Sequence, residues 1–337
     1  MPQYLSEVWA EVEAAAKAAG ALRLGASSID DARVSEFASW LAEGHHAEMA
    51  YLERSLEVRR APAIRYPWAR SVLVITVPYS PHRPPPSGTV ASRVARYAQG
   101  DDYHVVLDSM LQDLEKMIRR TSPETLTRRY VDTGPLSDRT YGAQAGLGWV
   151  GKNGMLIDPE YGSYFFIGTL LTSLENDIAE PEVSDRCGQC TRCVDACPTA
   201  AILPDRTVAS ARCISYLTIE HRGAVDDELA EHFHGNLFGC DICQEVCPWN
   251  EVAPPGHPAF DSRPRYSATP VTDLLRFSQG DFSAFFRGSA IKRAKHAGMV
   301  RNAALISEDL PQESLQALAS DPDEGVRAAA AWRLSWL

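Results

Sequence analysis

The sequence predicts a chain in three successive parts: an α/β unit, a short cysteine-rich module and a helical C-terminal stretch. Three observations carry this. In the first half, short apolar runs rich in β-branched and aromatic residues alternate with helical patterns, while all eight cysteines fall between Cys187 and Cys247. Beyond the proline-rich segment PWNEVAPPGHP only helical periodicity is left. The boundaries implied are 1–178, 179–258 and 259–337.

Taken in order, residues 4–19 carry apolar side chains at helical spacing, and a second such pattern covers 32–56. The runs SVLVITV (71–77), RYVDT (129–133) and YFFIGTLL (164–171) read as strands, bounded by Pro, Gly or polar residues, with a helix over 102–120 between the first two. PHRPPPS (81–87) reads as a loop, because consecutive prolines cannot donate to a ladder. From 271 to 337 the pattern is helical, with segments at 290–308 and 311–319 before the acid-initiated DPDEGVRAAAAWRLSWL (321–337). These last helices are similar to a HEAT-type repeat, and an ordinary capping helix is the alternative reading.

Composition narrows the function classes. A chain of 337 residues is long enough for two or three units with a shared core. No run approaches the roughly 18 apolar residues of a membrane span, and MPQYLSEVWAEVEAAAKAAG carries acids where a signal peptide has a basic start. No membrane association and a cytoplasmic location are expected, where disulfides are disfavoured. A net charge of −11 argues against general polyanion binding, so any nucleic-acid contact must be local. One stretch qualifies: Phe282 to Ser307 holds no acid but carries Arg287, Lys292, Arg293, Lys295 and Arg301. A solvated helix face is the other reading of that stripe.

The cysteines are the strongest signal. Cys187, Cys190, Cys193 and Cys197, followed by Pro198, form the C-x2-C-x2-C-x3-C-P run of two-cluster bacterial ferredoxins, in which the fourth cysteine ligates the other cluster. Cys240, Cys243 and Cys247 with Pro248 repeat it without the middle cysteine, and Cys213 completes the count. Crossing assigns Cys187, Cys190, Cys193 and Cys247 to one 4Fe-4S cluster and Cys197, Cys213, Cys240 and Cys243 to the other. A pair of zinc sites would not require the third cysteine of the first run. Two neighbouring clusters form a wire, and a wire needs a terminus.

The richest remaining segment is YVDTGPLSDRTYGAQAGLGWVGKNGM (130–155). Its strand is expected to end at Asp132, where Thr133, Gly134 and Pro135 turn the chain and present a carboxylate at a strand end. The glycines at 146, 148, 151 and 154, with Lys152 and Asn153 among them, allow close backbone approach. Neither phosphate-loop pattern fits. On the residues alone Asp132 reads either as catalytic or as a turn cap.

RYAQGDDYH (96–104), VDTGP (131–135), AGLGWVGKN (145–153), GSAIKRAKHAGMVRNAAL (288–305) and the two cysteine groups together resemble the epoxyqueuosine reductase family, over nearly the whole chain. The resemblance implies an N-terminal cobalamin-binding α/β domain, a ferredoxin-like two-cluster module and an α-helical, HEAT-like, tRNA-contacting part. The D-x-H-x-x-G signature of mutase-type cobalamin sites is absent: Asp102 and His104 supply its start, but Leu107 stands where glycine is needed. That agrees with a family that holds cobalamin base-off without this histidine.

Carried over by motif, the family's proton-donating aspartate falls on Asp132. Opening an epoxide and expelling its oxygen takes two electrons and two protons, and closure of the pocket should keep the aspartate protonated near neutral pH. The resemblance further implies that Tyr97, Asp102, Tyr103, His104, Arg139, Lys152, Asn153 and Ser215 line the cobalamin or substrate, with Tyr216 nearby. A buried ion pair is the other reading of Arg139, and a structural histidine that of His104. Where members commonly carry V-L-E-R, this chain has Leu136, Ser137, Asp138 and Arg139, a shorter acid beside the same arginine.

The substrate implied is the anticodon stem-loop of a queuosine-family tRNA, whose wobble base can enter a pocket without breaking a duplex. The basic stripe would then meet backbone phosphates. A monomer fed by an external donor, such as a flavodoxin or ferredoxin system, is expected. Two other classes fit parts of the pattern. A reductive dehalogenase would share both cofactors but usually carries a twin-arginine export signal, which is not expected here; a two-cluster electron carrier would need neither cobalamin nor Asp132.

Overall fold

Strand β2 (Ser71–Pro78) is buried at all eight positions, so its alternating side chains must find apolar cover on both faces. The computed structural model, which describes residues 3–29, 34–79, 85–178, 183–307 and 310–336, shows how. The sheet runs β1 (Arg23–Ser28), β2, β6 (Phe165–Thr172), β3 (Thr127–Tyr130), and every neighbouring pair is antiparallel. Leu73, Ile75 and Val77 meet helix α1 (Trp9–Ala18) and the long α5 (Tyr103–Thr121), whose Leu107, Leu111, Leu114 and Ile118 repeat at helical spacing. Val72 and Val74 face α6 (Asp138–Gln144) and the short ribbon of β4 (Trp149–Val150) and β5 (Leu156–Ile157).

The mixed helix–sheet reading therefore holds, with strands paired antiparallel throughout. β1, with the sequence RLGASS, has too few apolar residues to announce itself, and the strand expected to reach Thr133 stops at Tyr130. The helical pattern over 32–56 is broken into α2 (Ser35–Ala42), α3 (Ala50–Arg54) and α4 (Leu56–Arg60). Gly44, at φ +74, takes the left-handed turn that ends α2. Residues 32 and 33 of that pattern and residues 81–84 of the expected loop lie outside the described residues.

The cysteine-rich module holds four short helices, α7 (Arg192–Asp195), α8 (Ile214–Ile219), α9 (Asp227–Glu231) and α10 (Ile242–Glu245), the first and last packed together. The C-terminal part comprises α11 (Pro264–Ala268), α12 (Gln279–Phe285), α13 (Lys295–Ile306), α14 (Gln312–Leu318) and α15 (Glu324–Leu334). The acid start expected for the last helix is its cap: Asp323 accepts from the Val326 amide at 3.2 Å. Hydrophobic clusters cross the expected boundaries. Tyr216, Leu217 and Phe233 pack with Val300, Ala304 and Val326, and Phe260 joins the core of the sheet.

Candidate active site and cluster centre

The thiol charges act mostly within two groups, Cys187, Cys190, Cys193 and Cys247 in one and Cys197, Cys213, Cys240 and Cys243 in the other, with Cys243 also feeling Cys193 across them. This is the division that crossing implies. Burial pushes Cys240 up to about 12 and raises Cys193, Cys213, Cys243 and Cys247, with neighbouring thiols adding to it, so iron binding must displace protons here. Among the described residues no group of three or more His, Cys, Asp or Glu side chains is arranged around a single-ion site.

Beyond β3 the chain turns through Val131–Ser137 into α6, and Asp132 lies in that turn, exposed, at φ +57. A non-glycine residue in the left-handed region has to be held there by its surroundings. One hold is Tyr103, whose hydroxyl donates to Asp132 Oδ2 at 2.8 Å. Its ring stacks on Phe166 at 4.4 Å and on His104 at 4.1 Å. Desolvation first, and the Asp132 charge second, raise the Tyr103 pKa, so the phenol stays a donor.

A second hold comes from a residue the sequence did not single out. Arg59 on α4 donates to the carbonyl oxygens of Gly134, at 3.3 Å, and of Leu136. Ser55 Oγ accepts from its Nε at 3.0 Å, and the guanidinium lies 5.4 Å over the Phe37 ring. Asp138, the first residue of α6, is raised to about 7 by desolvation and then by the Asp132 charge, while Arg59, a Thr169 hydroxyl 3.4 Å away and Arg139 oppose the shift. Arg139 itself is exposed and donates to the Gly154 carbonyl, so it forms no buried ion pair.

Beside this turn a cavity of about 210 Å³ opens between the three parts of the chain, lined by Glu48, Tyr51, Tyr216, Glu220, Arg293 and Lys295 among others. Glu48 accepts from the Tyr216 hydroxyl at 3.2 Å, and Arg293 pairs bidentately with Glu220 at 2.7 and 2.9 Å while lying 5.5 Å over Tyr51. Both Tyr51 and Arg293 feel the Asp132 charge, so the carboxylate lies within electrostatic reach of this cavity. Lys295 reaches it from φ +64 and ψ 169, a conformation that favours glycine.

Several expected contacts fall elsewhere. Lys152 donates to the carbonyls of Gly188 and Cys190 at 2.8 and 2.9 Å, and Asn153 to that of Cys243 at 3.5 Å, so both brace cysteine loops instead of facing a corrin or substrate. Asp102 caps α5 by accepting from the His104 amide at 3.1 Å and lies 2.7 Å from its ring Nδ1, which lowers the Asp102 pKa. Ser215 is half-buried, with its backbone amide turned to Cys213. Tyr97 packs edge-on to Tyr103 and Phe166. Arg301 is 2 % exposed, its guanidinium spent on Leu217, His221 and Gly223 carbonyls and on Asn302, and cannot reach a phosphate. Arg287, Lys292, Arg293 and Lys295 are exposed.

Comparison with known proteins then decides the family. Residues 59–133 match the family model "Epoxyqueuosine reductase QueG, DUF1730", and residues 186–250 match the 4Fe-4S double cluster binding domain. An epoxyqueuosine reductase of Gloeobacter violaceus is 36% identical over 310 residues, 87% of this chain and 94% of that protein. The chain belongs to the epoxyqueuosine reductase family. The reductase of Cellulophaga algicola is 37% identical over 264 residues, 78% of this chain and 85% of its own.

Solved epoxyqueuosine reductases share the fold. One crystallised with an epoxyqueuosine-modified tRNA-Tyr stem loop superposes with a TM-score of 0.87 at 30% identity, covering 97% of this chain and 89% of that one. The Bacillus subtilis reductase, captured with its catalytic aspartate loop swung out of the active site, gives 0.84 at 28% identity, covering 97% and 90%. The chain is thus an oxidoreductase, and the cofactors of its family are cobalamin and two 4Fe-4S clusters.

Proposed function

We propose that this reductase removes the epoxide oxygen of epoxyqueuosine at the wobble position of a queuosine-family tRNA, with Asp132 as proton donor. The single observation that carries this is the Asp132 carboxylate, held by Tyr103 within electrostatic reach of Tyr51 and Arg293 in a cavity where all three parts of the chain meet. Cobalamin, when bound, would supply a reduced cobalt able to act on an epoxide carbon. An orphaned buried acceptor supports its place: Gln99 Oε1 has no partner and Gln99 lines a second cavity of about 420 Å³ with Arg96, Asn236 and Asp241, which suits the amide donors on a corrin rim. That volume takes part of the group, and Tyr97, Tyr103 and Ser215 would line the rest.

The chain's own residues do the remaining work. Tyr103 and Arg59 keep Asp132 in place, and Asp132 hands its proton to the departing oxygen, so that an alkoxide need not leave. Asp132 is exposed in the protein alone; closure by the corrin and the flipped base would exclude water around it. Tyr51, Arg293 and Lys295 offer an aromatic face and cationic groups to a splayed nucleotide. The turn that carries Asp132, like the loop seen swung out in the Bacillus subtilis reductase, would move between in and out positions.

The C-terminal helices serve as a HEAT-like cradle for the stem, with Arg287, Lys292, Arg293 and Lys295 on phosphates. The enzyme acts as a cytoplasmic monomer reduced by a flavodoxin or ferredoxin; no described helix is long and apolar enough to cross a membrane. The test is mass spectrometry of nucleosides from epoxyqueuosine-containing tRNA after anaerobic incubation with the loaded enzyme and its Asp132→Asn variant. Conversion by the first and not the second is expected; no conversion by either, with both cofactors verified, overturns the reading.

A further inference from the structure

The segment between α6 and β5 reaches across to the cysteine loops with three side chains, and two of them serve the same set of thiols. Trp149, 3 % exposed, donates its indole N–H to Cys187 Sγ at 3.5 Å. Its ring meets Trp249 edge-on at 5.0 Å, two residues past Cys247, in a small cluster that also holds Ile157 and Cys187. Lys152 places its ammonium on the carbonyls of Gly188 and Cys190, inside the same cysteine loop. Of the other charges near Cys187, Arg206 is paired with Asp185 at 2.7 Å and Arg192 lies 3.8 Å from Glu251, while Arg186 directly precedes the cysteine. The other set receives a neutral amide contact from Asn153 on the Cys243 carbonyl and a backbone donor, the Ala201 N–H, on Cys197 Sγ at 3.3 Å.

We propose that Trp149 and Lys152 raise the reduction potential of the cluster held by Cys187, Cys190, Cys193 and Cys247. A 4Fe-4S cluster that accepts one electron gains one negative charge on its iron and sulfur atoms, with no bond made or broken. An N–H donor on a thiolate and a fixed ammonium beside its loop both favour the more negative state, and hydrogen bonds to the sulfurs and local charge are two of the protein's levers on cluster potential. The cations near this loop are not equivalent: the Arg206 charge is answered by Asp185 and that of Arg192 faces Glu251, whereas Lys152 is held by carbonyl oxygens. The physical consequence is a cluster that keeps its electron. With its potential raised, this cluster holds its electron more firmly once a low-potential one-electron carrier has reduced the protein, while the other set includes Cys213, three residues before the cavity residue Tyr216. A reaction that consumes two electrons gains from one stored in advance.

The inference rests on the two clusters alone and not on the tRNA reaction, so it is tested without substrate or cobalamin. The reconstituted full chain, Trp149→Phe and Lys152→Gln are first matched for iron and sulfide content, then titrated anaerobically with dithionite against mediators while electron paramagnetic resonance follows each cluster. Trp149→Phe keeps an aromatic ring against Trp249 and removes only the N–H. Both variants should shift one and the same cluster to a more negative potential and leave the other in place. Lys152→Arg, which keeps the charge, should restore most of the Lys152→Gln shift. Unchanged potentials with both clusters intact, equal shifts of both clusters, or opposite clusters responding to the two variants would overturn the proposal. Should Trp149→Phe fail to hold its clusters, the Lys152 pair decides the matter alone, because that side chain lies at the surface of the loop.

Discussion

The Tyr103 hydroxyl donates to Asp132 Oδ2 across 2.8 Å, from a ring stacked on Phe166 and met edge-on by Tyr97. The bond joins the first residue of a long, well-packed helix to an exposed carboxylate in a left-handed turn. The helix is the rigid partner, so the bond sets where the acid stands. Tyr103→Phe keeps the stack and removes the bond. A hydrogen bond to a charged group contributes about 1.5–3 kcal/mol, so the rate of epoxyqueuosine reduction should fall roughly tenfold to hundredfold, with little change in tRNA affinity. Single-turnover nucleoside analysis measures the first, and filter binding the second.

Arg59 acts on the same turn from the other side. It supplies donors to the Gly134 and Leu136 carbonyls, both buried residues, and removing it would leave those acceptors unpaired at about 1–3 kcal/mol each. Arg59→Met should therefore increase amide hydrogen exchange through Val131–Ser137 and lower the rate, while cobalamin content, read from its absorbance, stays the same. Loss of cobalamin with unchanged exchange would mean that Arg59 serves the cofactor and not the turn.

Asp138 predicts a pH dependence of stability with a definite sign. Its carboxyl titrates near 7 in the folded protein and near 3.9 when unfolded. Between those values the folded state holds a proton that the unfolded state has lost, so stability should fall as pH rises from about 4 to about 7 and level off above. Below pH 4 both states are protonated and the penalty vanishes. Asp138→Asn should flatten that stretch of the profile, measured by denaturant titration of the unmodified protein and the variant at each pH.

How far the sequence could be read follows from what kind of constraint each residue obeys. Cluster ligands were legible because four thiolates around one cubane impose their own spacing, and Asp132 because it sits in a turn motif of Thr, Gly and Pro. Lys152 and Asn153 were legible as special but not in direction: their partners, the carbonyls of Gly188, Cys190 and Cys243, come from loops remote in sequence. Trp149, Arg59 and Glu48 act through equally remote contacts, and nothing in their own surroundings marks them. β1 stayed hidden because a strand of Arg, Gly, Ser and Ala owes its place to β2 and not to its own propensity. Arg301 shows the same limit from the opposite direction. A run without acids looks like a solvated basic face, yet α13 turns this one arginine inward, where backbone carbonyls of residues 217, 221 and 223 receive it.

That division of the basic stripe is itself testable. Desolvation lowers the Arg301 pKa to about 10, and five hydrogen bonds hold its cation against that burial. Arg301→Leu would orphan three carbonyl groups and should lower the melting temperature while leaving the salt dependence of tRNA binding as it is. Lys292, Arg293 and Lys295 are exposed, and each phosphate contact with single-stranded RNA contributes about 0.7 to the slope of log affinity against log salt. Reversing Lys292 or Lys295 to glutamate should reduce that slope by roughly 0.7 per contact without loss of stability. Arg293→Glu should do more, because it also leaves Glu220 facing a second carboxylate beside Tyr51. A salt slope unmoved by all three reversals would take the stripe off the tRNA, and a slope that falls with Arg301→Leu at unchanged melting temperature would bring the buried arginine back to it.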